Sequence, residues 1–181
     1  MTLIGYEAKI AKRYARGRYP GGGGLMHYLF AKMVESLHPS FERLVAGPAF
    51  TGGALPLAMP KSGVYLFTED GAHLYVGRSN NLEGRYGRHC RPGATHKQAA
   101  FAFQLARRAT GKLKASYRAG EDSRDGLILN PDFLAAFTNA KARIRHMDYR
   151  FVEEVDQTRQ ALLEIYCCVA LGTPYNDFNT H

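Results

Sequence analysis

The chain has 181 residues, enough for one substantial core or for a domain of about 100 to 120 residues with an extension. Its hydrophobic fraction is 45%, and no stretch approaches the roughly 18 consecutive apolar residues of a membrane span, so we expect a soluble protein without a membrane partner. The formal net charge of +8 favours a polyanionic partner.

The cysteines predict a reducing compartment. There are three, Cys90, Cys167 and Cys168, and the last two are adjacent in an apolar run, where buried thiols are expected. The first residues lack the charged and apolar segments of a signal peptide. We therefore expect a cytoplasmic protein.

Residues 1–60 are predicted to form an extension. Its first part is a basic and aromatic arm that ends in four glycines at 21–24, which indicate a flexible joint. The arm either reaches onto nucleic acid or is a plain terminus. Apolar residues at helical spacing predict one amphipathic helix over 25–44, and the Gly- and Pro-rich stretch 47–60 indicates a connector.

Two β-prone runs, 63–67 and 73–77, flank an Asp-Gly pair that predicts a hairpin. A hairpin symmetric about Asp70 sets Tyr65 opposite Tyr75. Directly opposed residues of an antiparallel pair project from the same face. We therefore expect the two phenols to lie side by side.

The segment after the hairpin predicts a helix that carries two more polar groups. Asn81 and the polar residues before it are N-cap candidates. On this helix Arg85 and His89 lie one turn apart. A second helix, over 97–109, has an apolar face and a basic edge.

A block of positive charge accompanies these elements. Between Arg78 and Arg118 there are ten lysines and arginines and one acid, Glu83. A charge run alone usually indicates a solvated helical surface, but its coincidence with the polar motif favours phosphate contacts. The candidates for nucleic-acid binding are Arg78, Arg88, Arg91, Lys97, Arg107 and Arg108.

The last third of the chain predicts two helices and one strand. The segment 112–142 is predicted to be an insertion, with a helix that begins near residue 131 after an Asn-Pro cap. Alternating residues over 144–152 predict a third strand. The final helix, 157–171, is mostly apolar and is interrupted by Glu164.

Glu164 is a single carboxylate in an otherwise mostly apolar helix. A carboxylate among apolar neighbours is costly to bury unless it is paired, hydrogen-bonded or bound to a cation. The alternative is exposure on the outer edge of the helix, which is common for a single glutamate.

Taken together, these residues resemble the GIY-YIG nuclease family. The pattern consists of Gly63-Val64-Tyr65, Tyr75-Val76-Gly77, Arg85, His89, Glu164 and Asn176. The resemblance covers roughly 62–178 and implies an α/β (α+β) fold over 61–181, a small three-stranded antiparallel sheet flanked by helices. The region before it is then a helical N-terminal extension.

The resemblance implies an endonuclease that hydrolyses DNA phosphodiester bonds with one divalent metal ion, Mg²⁺ or Mn²⁺, per active site. Glu164 corresponds to the metal ligand and Arg85 to the arginine that holds the scissile phosphate. Asn176 corresponds to the asparagine that closes the site after the last helix. A single carboxylate binds a hard cation weakly, so water and phosphate should complete the metal shell.

Three further residues correspond to the rest of the family's site. Tyr65 and His89 match positions that activate or orient the attacking water, and which of them is the general base is open at this point. Tyr75 matches the second phenol. His96 lies near where some members carry another histidine, and we interpret it as peripheral or structural.

The competing interpretation is a nucleic-acid-binding module that retains the fold without turnover. The full set of polar site residues argues against it. We expect no organic cofactor, because no P-loop, dinucleotide fingerprint or nucleophile elbow is present. The sequence does not distinguish a repair, restriction or mobile-element role, nor does it predict the oligomeric state.

Overall fold

The structure, a computed structural model, describes residues 27–113 and 120–176. The elements are α1 (Tyr28–Glu35), α2 (His38–Ala46), β1 (Gly63–Glu69), β2 (Ala72–Ser79), α3 (Leu82–Cys90), α4 (Ala100–Thr110), α5 (Arg124–Leu129), α6 (Pro131–His146), β3 (Asp148–Glu153) and α7 (Gln157–Leu171). They confirm the predicted α/β architecture. The predictions for the arm and the glycine run lie outside the described residues.

A three-stranded antiparallel sheet forms the centre of the fold, in the order β2-β1-β3. The central strand β1 is buried from Gly63 to Thr68, because both its edges are paired and both its faces are covered. The third strand begins at Asp148 rather than near 144, because α6 continues to His146. Within the described residues no helix is long and apolar enough to cross a membrane.

The turn of the hairpin follows the sequence prediction. Asp70 has a φ of 49° and Gly71 a φ of 78°, and Glu69 pairs with Ala72 across them. Two consecutive positive φ angles are typical of the tight turns that match the twist of a β-hairpin. The Asp-Gly pair therefore sets this connection locally.

The predicted register of the hairpin is wrong. An irregularity between Phe67 and Thr68 shifts the pairing, so Tyr65 lies opposite Gly77 and Tyr75 lies opposite Phe67. A β-bulge of this kind places one extra residue on one strand. The two phenols still share a face, as diagonal rather than direct neighbours, with ring centroids 6.3 Å apart.

The single helix predicted over 25–44 is two helices, α1 and α2, with a break at Ser36 and Leu37. Pro39 follows the break and has no backbone N–H, so it cannot donate to the carbonyl of Glu35 as a continuous helix requires. Leu37, at the break, is fully buried.

Helices α2 and α7 cover one face of the sheet, and α1 packs against α7. Leu37 and Leu44 are fully buried beside Val64 and Leu66 of the central strand. The predicted boundary at residue 60 therefore does not coincide with a gap in the packing. We propose that α1 and α2 are part of the folding unit of residues 61–181.

Leu44→Ala is expected to lower the free energy of unfolding by about 2–5 kcal/mol, because the truncation leaves a cavity at a fully buried position. Leu57→Ala is the control, since Leu57 is 109% exposed and its loss should change stability by less than about 0.5 kcal/mol. Urea unfolding of both variants measures the difference. Equal stabilities would show that the extension is not part of the folding unit.

The opposite face of the sheet is covered by α3, α4 and α6. Phe133 and Phe137 of α6 are buried against Phe103 of α4, at ring-centroid distances of 5.0 and 6.3 Å. The helical part of the predicted insertion at 112–142 therefore belongs to the core. That the segment is inserted relative to other family members stays a prediction.

Candidate active site

Three predicted site residues form a hydrogen-bonded cluster on the α3 face of the sheet. The hydroxyl oxygen of Tyr65 lies 2.8 Å from Nε2 of His89 and accepts a hydrogen bond from Nε of Arg85 at 3.0 Å. Arg85 also donates through Nη1 to the carbonyl oxygen of Gln98, at 3.2 Å. The structure thus brings together a phenol, an imidazole and a guanidinium from β1 and α3.

Local structure orients α3 towards the sheet. The side chain of Asn81 accepts a hydrogen bond from the backbone N–H of Gly84 at 2.8 Å, which is the N-cap predicted from the sequence. Leu82 is fully buried and anchors the first turn. Arg85 and His89, one turn apart, then point to the same side as Tyr65.

Tyr75 joins the cluster through aromatic contacts. Its ring stacks on Phe101 of α4, with centroids 4.7 Å apart and an interplanar angle of 10°. It also lies 5.7 Å from the ring of His89. Phe101 is a site residue that the sequence analysis assigned only to the apolar face of a helix, because no local signal distinguishes it from other core aromatics.

Gly77 makes room for the phenol of Tyr65. A Cβ atom built on Gly77 would lie within 2.5 Å of the hydroxyl oxygen and of Cζ of Tyr65. Real Cβ contacts are far longer, so any side chain at this position would displace the ring. The position of the Tyr65 ring therefore requires a glycine at residue 77.

Gly77→Ala is expected to destabilise the fold by about 1–3 kcal/mol and to disturb the Tyr65–His89 hydrogen bond, because the added methyl group overpacks a closed contact. Gly93→Ala is the matched control, since nothing lies within 4 Å of its added Cβ. Thermal unfolding and the NMR resonances of the His89 ring report the two effects. Equal melting temperatures for both variants would contradict this packing argument.

Burial keeps both Tyr65 and His89 neutral. Desolvation raises the pKa of Tyr65 well above its ordinary value, with Tyr75 adding to the shift and Arg85 opposing it. Desolvation, and then the charges of Arg85 and Arg88, lower the pKa of His89 well below its ordinary value. Since Arg85 donates to the hydroxyl oxygen of Tyr65, the hydroxyl proton is free to point at Nε2 of His89.

The buried neutral imidazole predicts a pH dependence of stability. Below the unfolded-state pKa of about 6.5, the unfolded chain binds a proton at His89. The folded chain does not bind it, because burial lowers the pKa of His89. The contribution of neutral His89 to the free energy of unfolding is therefore fully present above that pH. It is lost as the pH falls towards the folded-state pKa, at up to about 1.4 kcal/mol per pH unit. His89→Gln should flatten this slope between pH 6.5 and 5.

Urea unfolding at several pH values measures that slope. His146→Gln is the control, because His146 is exposed on the last turn of α6 and the variant should keep the wild-type slope. A wild-type slope in the His89→Gln variant would show that His89 is not the buried neutral group.

Glu164 lies on α7 and is paired with Arg78 of β2. Nε of Arg78 donates to Oε2 of Glu164 at 3.0 Å, and the carboxylate side chain is 21% exposed. Burial raises the pKa of Glu164, and the charges of Arg78 and Arg85 partly offset this shift. The costly half-buried carboxylate expected from the sequence is therefore present, with an arginine partner that the sequence analysis did not predict.

The donor set fits a weakly held cation. Among the described residues no group of three or more His, Cys, Asp or Glu side chains could hold a metal ion. Glu164 supplies one hard oxygen donor, so water and phosphate oxygens would have to complete the shell of Mg²⁺. The role of Glu164 as the single carboxylate ligand stays a prediction.

Asn176 binds main chain at the open edge of the sheet. Its Oδ1 accepts from the backbone N–H of Val76 at 2.8 Å, and its Nδ2 donates to the carbonyl oxygen of Val76 at 2.7 Å. The hydroxyl of Thr173 donates to the same Oδ1 at 2.9 Å. Asn176 thus joins the residues after α7 to the backbone of β2 at Val76, the residue between Tyr75 and Gly77.

The cations proposed for nucleic-acid contact have different surroundings. Lys97 pairs with Asp125 at 3.0 Å, and Arg107 donates to the carbonyl oxygen of Lys112 at 2.7 Å. The guanidinium of Arg108 lies 4.3 Å from the ring centroid of Tyr175. Arg91 is exposed and its guanidinium packs beside Gly87.

His96 makes its hydrogen bonds with residues outside the cluster. Its Nε2 is 2.6 Å from a carboxylate oxygen of Asp125, and its carbonyl oxygen accepts two hydrogen bonds from Arg124. These contacts join the loop before α4 to the start of α5. They agree with the interpretation of His96 as structural.

The fold and the cluster define a small α/β domain, which we compared with known proteins. Residues 61–123 match the family model described as the GIY-YIG catalytic domain. This match supports the assignment of the domain to the GIY-YIG nuclease family and a function of the nuclease type. The matched segment includes Tyr65, Tyr75, Arg85 and His89 and ends before Glu164. Comparisons with curated proteins and with solved structures give no match.

Proposed function

We propose that this protein is a divalent-metal-dependent endonuclease that hydrolyses phosphodiester bonds of DNA. The observation that carries the proposal is the hydrogen-bonded cluster of Tyr65, Arg85 and His89, whose members the family match covers. Glu164 and Asn176 complete the proposed site from outside the matched segment. The cytoplasmic location stays a prediction.

Arg85 is the proposed phosphate ligand. Hydrogen bonds to Tyr65 and to the carbonyl of Gln98 orient its guanidinium, which is partly exposed. A guanidinium has five N–H donors, so others are left for a phosphate oxygen. Held in this way, the group stabilises the negative charge that develops on the phosphate without reorganising during the reaction.

Tyr65 and His89 are proposed to orient the attacking water as a neutral hydrogen-bonded pair. His89 is fully buried behind the phenol, so its Nε2 faces Tyr65 and not solvent. The raised pKa of Tyr65 disfavours a free phenolate. The lowered pKa of His89 likewise disfavours the imidazolium that would form if the phenol proton were transferred to it, so the pair is proposed to act through its neutral hydrogen bond.

Glu164 is the proposed metal ligand. When bound, Mg²⁺ or Mn²⁺ supplies Lewis-acid stabilisation of phosphate oxygens. The carboxylate of Glu164 lies close enough to Tyr75 to raise the pKa of that phenol, and the charge of Arg85 lowers the pKa of Glu164. Arg88 and Arg91 on or just after α3 are proposed to contact the DNA backbone beside the site.

A cleavage assay tests the proposal. Purified protein is incubated with single-stranded, duplex, branched and flapped DNA in Mg²⁺, Mn²⁺ or EDTA, with the Glu164→Gln variant purified in parallel to reveal contaminating nucleases. We expect cleavage by the wild type that needs a divalent ion. Binding of DNA without cleavage in any divalent ion would instead support the fold-retaining binding module. The preferred substrate in the panel would narrow the biological role.

A further inference from the structure

The ion pair between Arg78 and Glu164 places a guanidinium at the carboxylate that is the proposed metal ligand. Glu164 is the only hydrogen-bond partner of the Arg78 side chain within the described residues, and the Nε–Oε2 distance is 3.0 Å. Arg78 is 44% exposed, whereas Glu164 is 21% exposed. The arginine can therefore leave for solvent more easily than the carboxylate can.

A divalent cation and this guanidinium cannot both bind Oε2 of Glu164, and a cation on Oε1 still repels the guanidinium. A Mg²⁺ ion binds an oxygen at about 2.1 Å, while the guanidinium nitrogen lies 3.0 Å from Oε2. Like charges at such separations repel, and more strongly near a partly desolvated group than in bulk water. Binding of a metal ion at Glu164 therefore has to displace or weaken the contact with Arg78.

We propose that Arg78 competes with the metal ion for Glu164, and that a phosphate of the substrate relieves the competition by drawing Arg78 away. This inference rests on the proposed role of Glu164. In the free protein the arginine neutralises the carboxylate and holds the metal affinity low. When DNA is bound, the same arginine contacts a phosphate oxygen, and Glu164 becomes available to the metal ion. Metal and substrate then bind cooperatively.

The position of Arg78 on β2 supports both contacts. It directly follows Gly77, which lies under the phenol of Tyr65, and it is paired with Val64 of the central strand. Successive side chains of a strand project to opposite faces, so Arg78 lies on the α7 face with Val64, on the edge strand of the sheet. Its partner Glu164 lies close enough to Tyr75 to raise the pKa of that phenol, which places the ion pair near the rim of the cluster. A side chain with flexible torsions at this rim reaches either the carboxylate or a phosphate beside the cluster.

Titration of Mn²⁺ into the free protein, followed by the loss of the electron paramagnetic resonance signal of free Mn²⁺, tests the competition without any cleavage. Arg78→Gln should bind Mn²⁺ about five- to tenfold more tightly than the wild type, since a contact of roughly 1 kcal/mol no longer opposes the ion. The double variant with Glu164→Gln should lose this gain.

The chain offers a matched control in a second pair. Arg143 and Glu69 form an ion pair in which the side chains are 48% and 27% exposed, close to the values for Arg78 and Glu164. Arg143→Gln removes the same charge but should leave the Mn²⁺ affinity at the wild-type value. An equal gain in this variant, or no gain in Arg78→Gln, would overturn the competition.

The link to substrate is tested by repeating the titration with saturating duplex DNA that carries non-hydrolysable linkages, with the DNA alone as a blank. DNA should raise the Mn²⁺ affinity of the wild type more than that of Arg78→Gln, because the variant has no competing contact left to release. An equal increase in both proteins would overturn the role assigned to phosphate.

The titrations distinguish a wrong assignment of Glu164 as metal ligand from a wrong assignment of Arg78 as its competitor. If Glu164→Gln binds Mn²⁺ as the wild type does, Glu164 is not the metal ligand, whatever Arg78 does. If Glu164→Gln loses binding and Arg78→Gln equals the wild type, the metal site stands and only the competition is wrong. Melting temperatures verify that each variant is folded.

Discussion

Arg85→Ala is expected to lower kcat/KM for Mg²⁺-supported DNA cleavage by about 10²–10³-fold, the range typical of removing one preorganised donor to a developing negative charge. The guanidinium is held by Tyr65 and by the carbonyl of Gln98, so it is oriented before substrate arrives. Its loss also removes the positive charge that opposes the raised pKa of the Tyr65 phenol. Both effects act on the chemical step.

Initial rates over a range of DNA concentrations measure this effect. Arg85→Lys should recover only part of the rate, because an ammonium keeps the charge but lacks the planar set of donors. Lys61→Ala is a charge-matched control, since Lys61 is exposed just before β1. A folded Arg85→Ala protein that cleaves within tenfold of the wild type would contradict the assigned role of Arg85.

Glu164→Gln is expected to reduce cleavage by about 10² or more, because the loss of several kcal/mol of transition-state stabilisation by the metal ion corresponds to that factor. Glutamine retains the size and one oxygen of the side chain but not its charge. The burial that raises the pKa of Glu164 acts against the charged form, so removing the charge should leave the free energy of unfolding nearly unchanged.

Two measurements separate this loss of activity from a loss of structure. Unfolding in urea should show equal stability for Glu164→Gln and the wild type, while the dependence of the residual rate on Mg²⁺ should disappear. Glu153→Gln is the control, because Glu153 is an exposed carboxylate at the end of β3. Full activity in Glu164→Gln would remove Glu164 from the proposed metal site.

Much of the fold follows from signals that are local in the chain. The Asp-Gly pair sets the hairpin turn, Asn81 caps α3, and α7 has the predicted bounds of 157–171. These features depend on a few neighbouring residues, whose dihedral preferences and side-chain hydrogen bonds operate without the rest of the molecule. The sequence also predicts that Arg85 and His89 lie on the same side of α3, because they are one helical turn apart.

Other features depend on contacts between distant segments. The bulge after Phe67 changes the register of the hairpin, although the turn itself is as predicted. The division of the N-terminal helix places Leu37 in a core shared with α7, which lies more than a hundred residues away in the chain. Periodicity along one segment does not reveal which partner covers its apolar side.

The sequence by itself determined the residues available for chemistry: two phenols, the Arg85 and His89 pair, and one carboxylate on an apolar helix. Only the tertiary structure decided their protonation and their hydrogen-bond partners. Burial makes Tyr65 and His89 a neutral hydrogen-bonded pair, and pairing with Arg78 defines the surroundings of Glu164. Desolvation and ion pairing arise from the packing of distant elements, and residue type and spacing do not encode them locally.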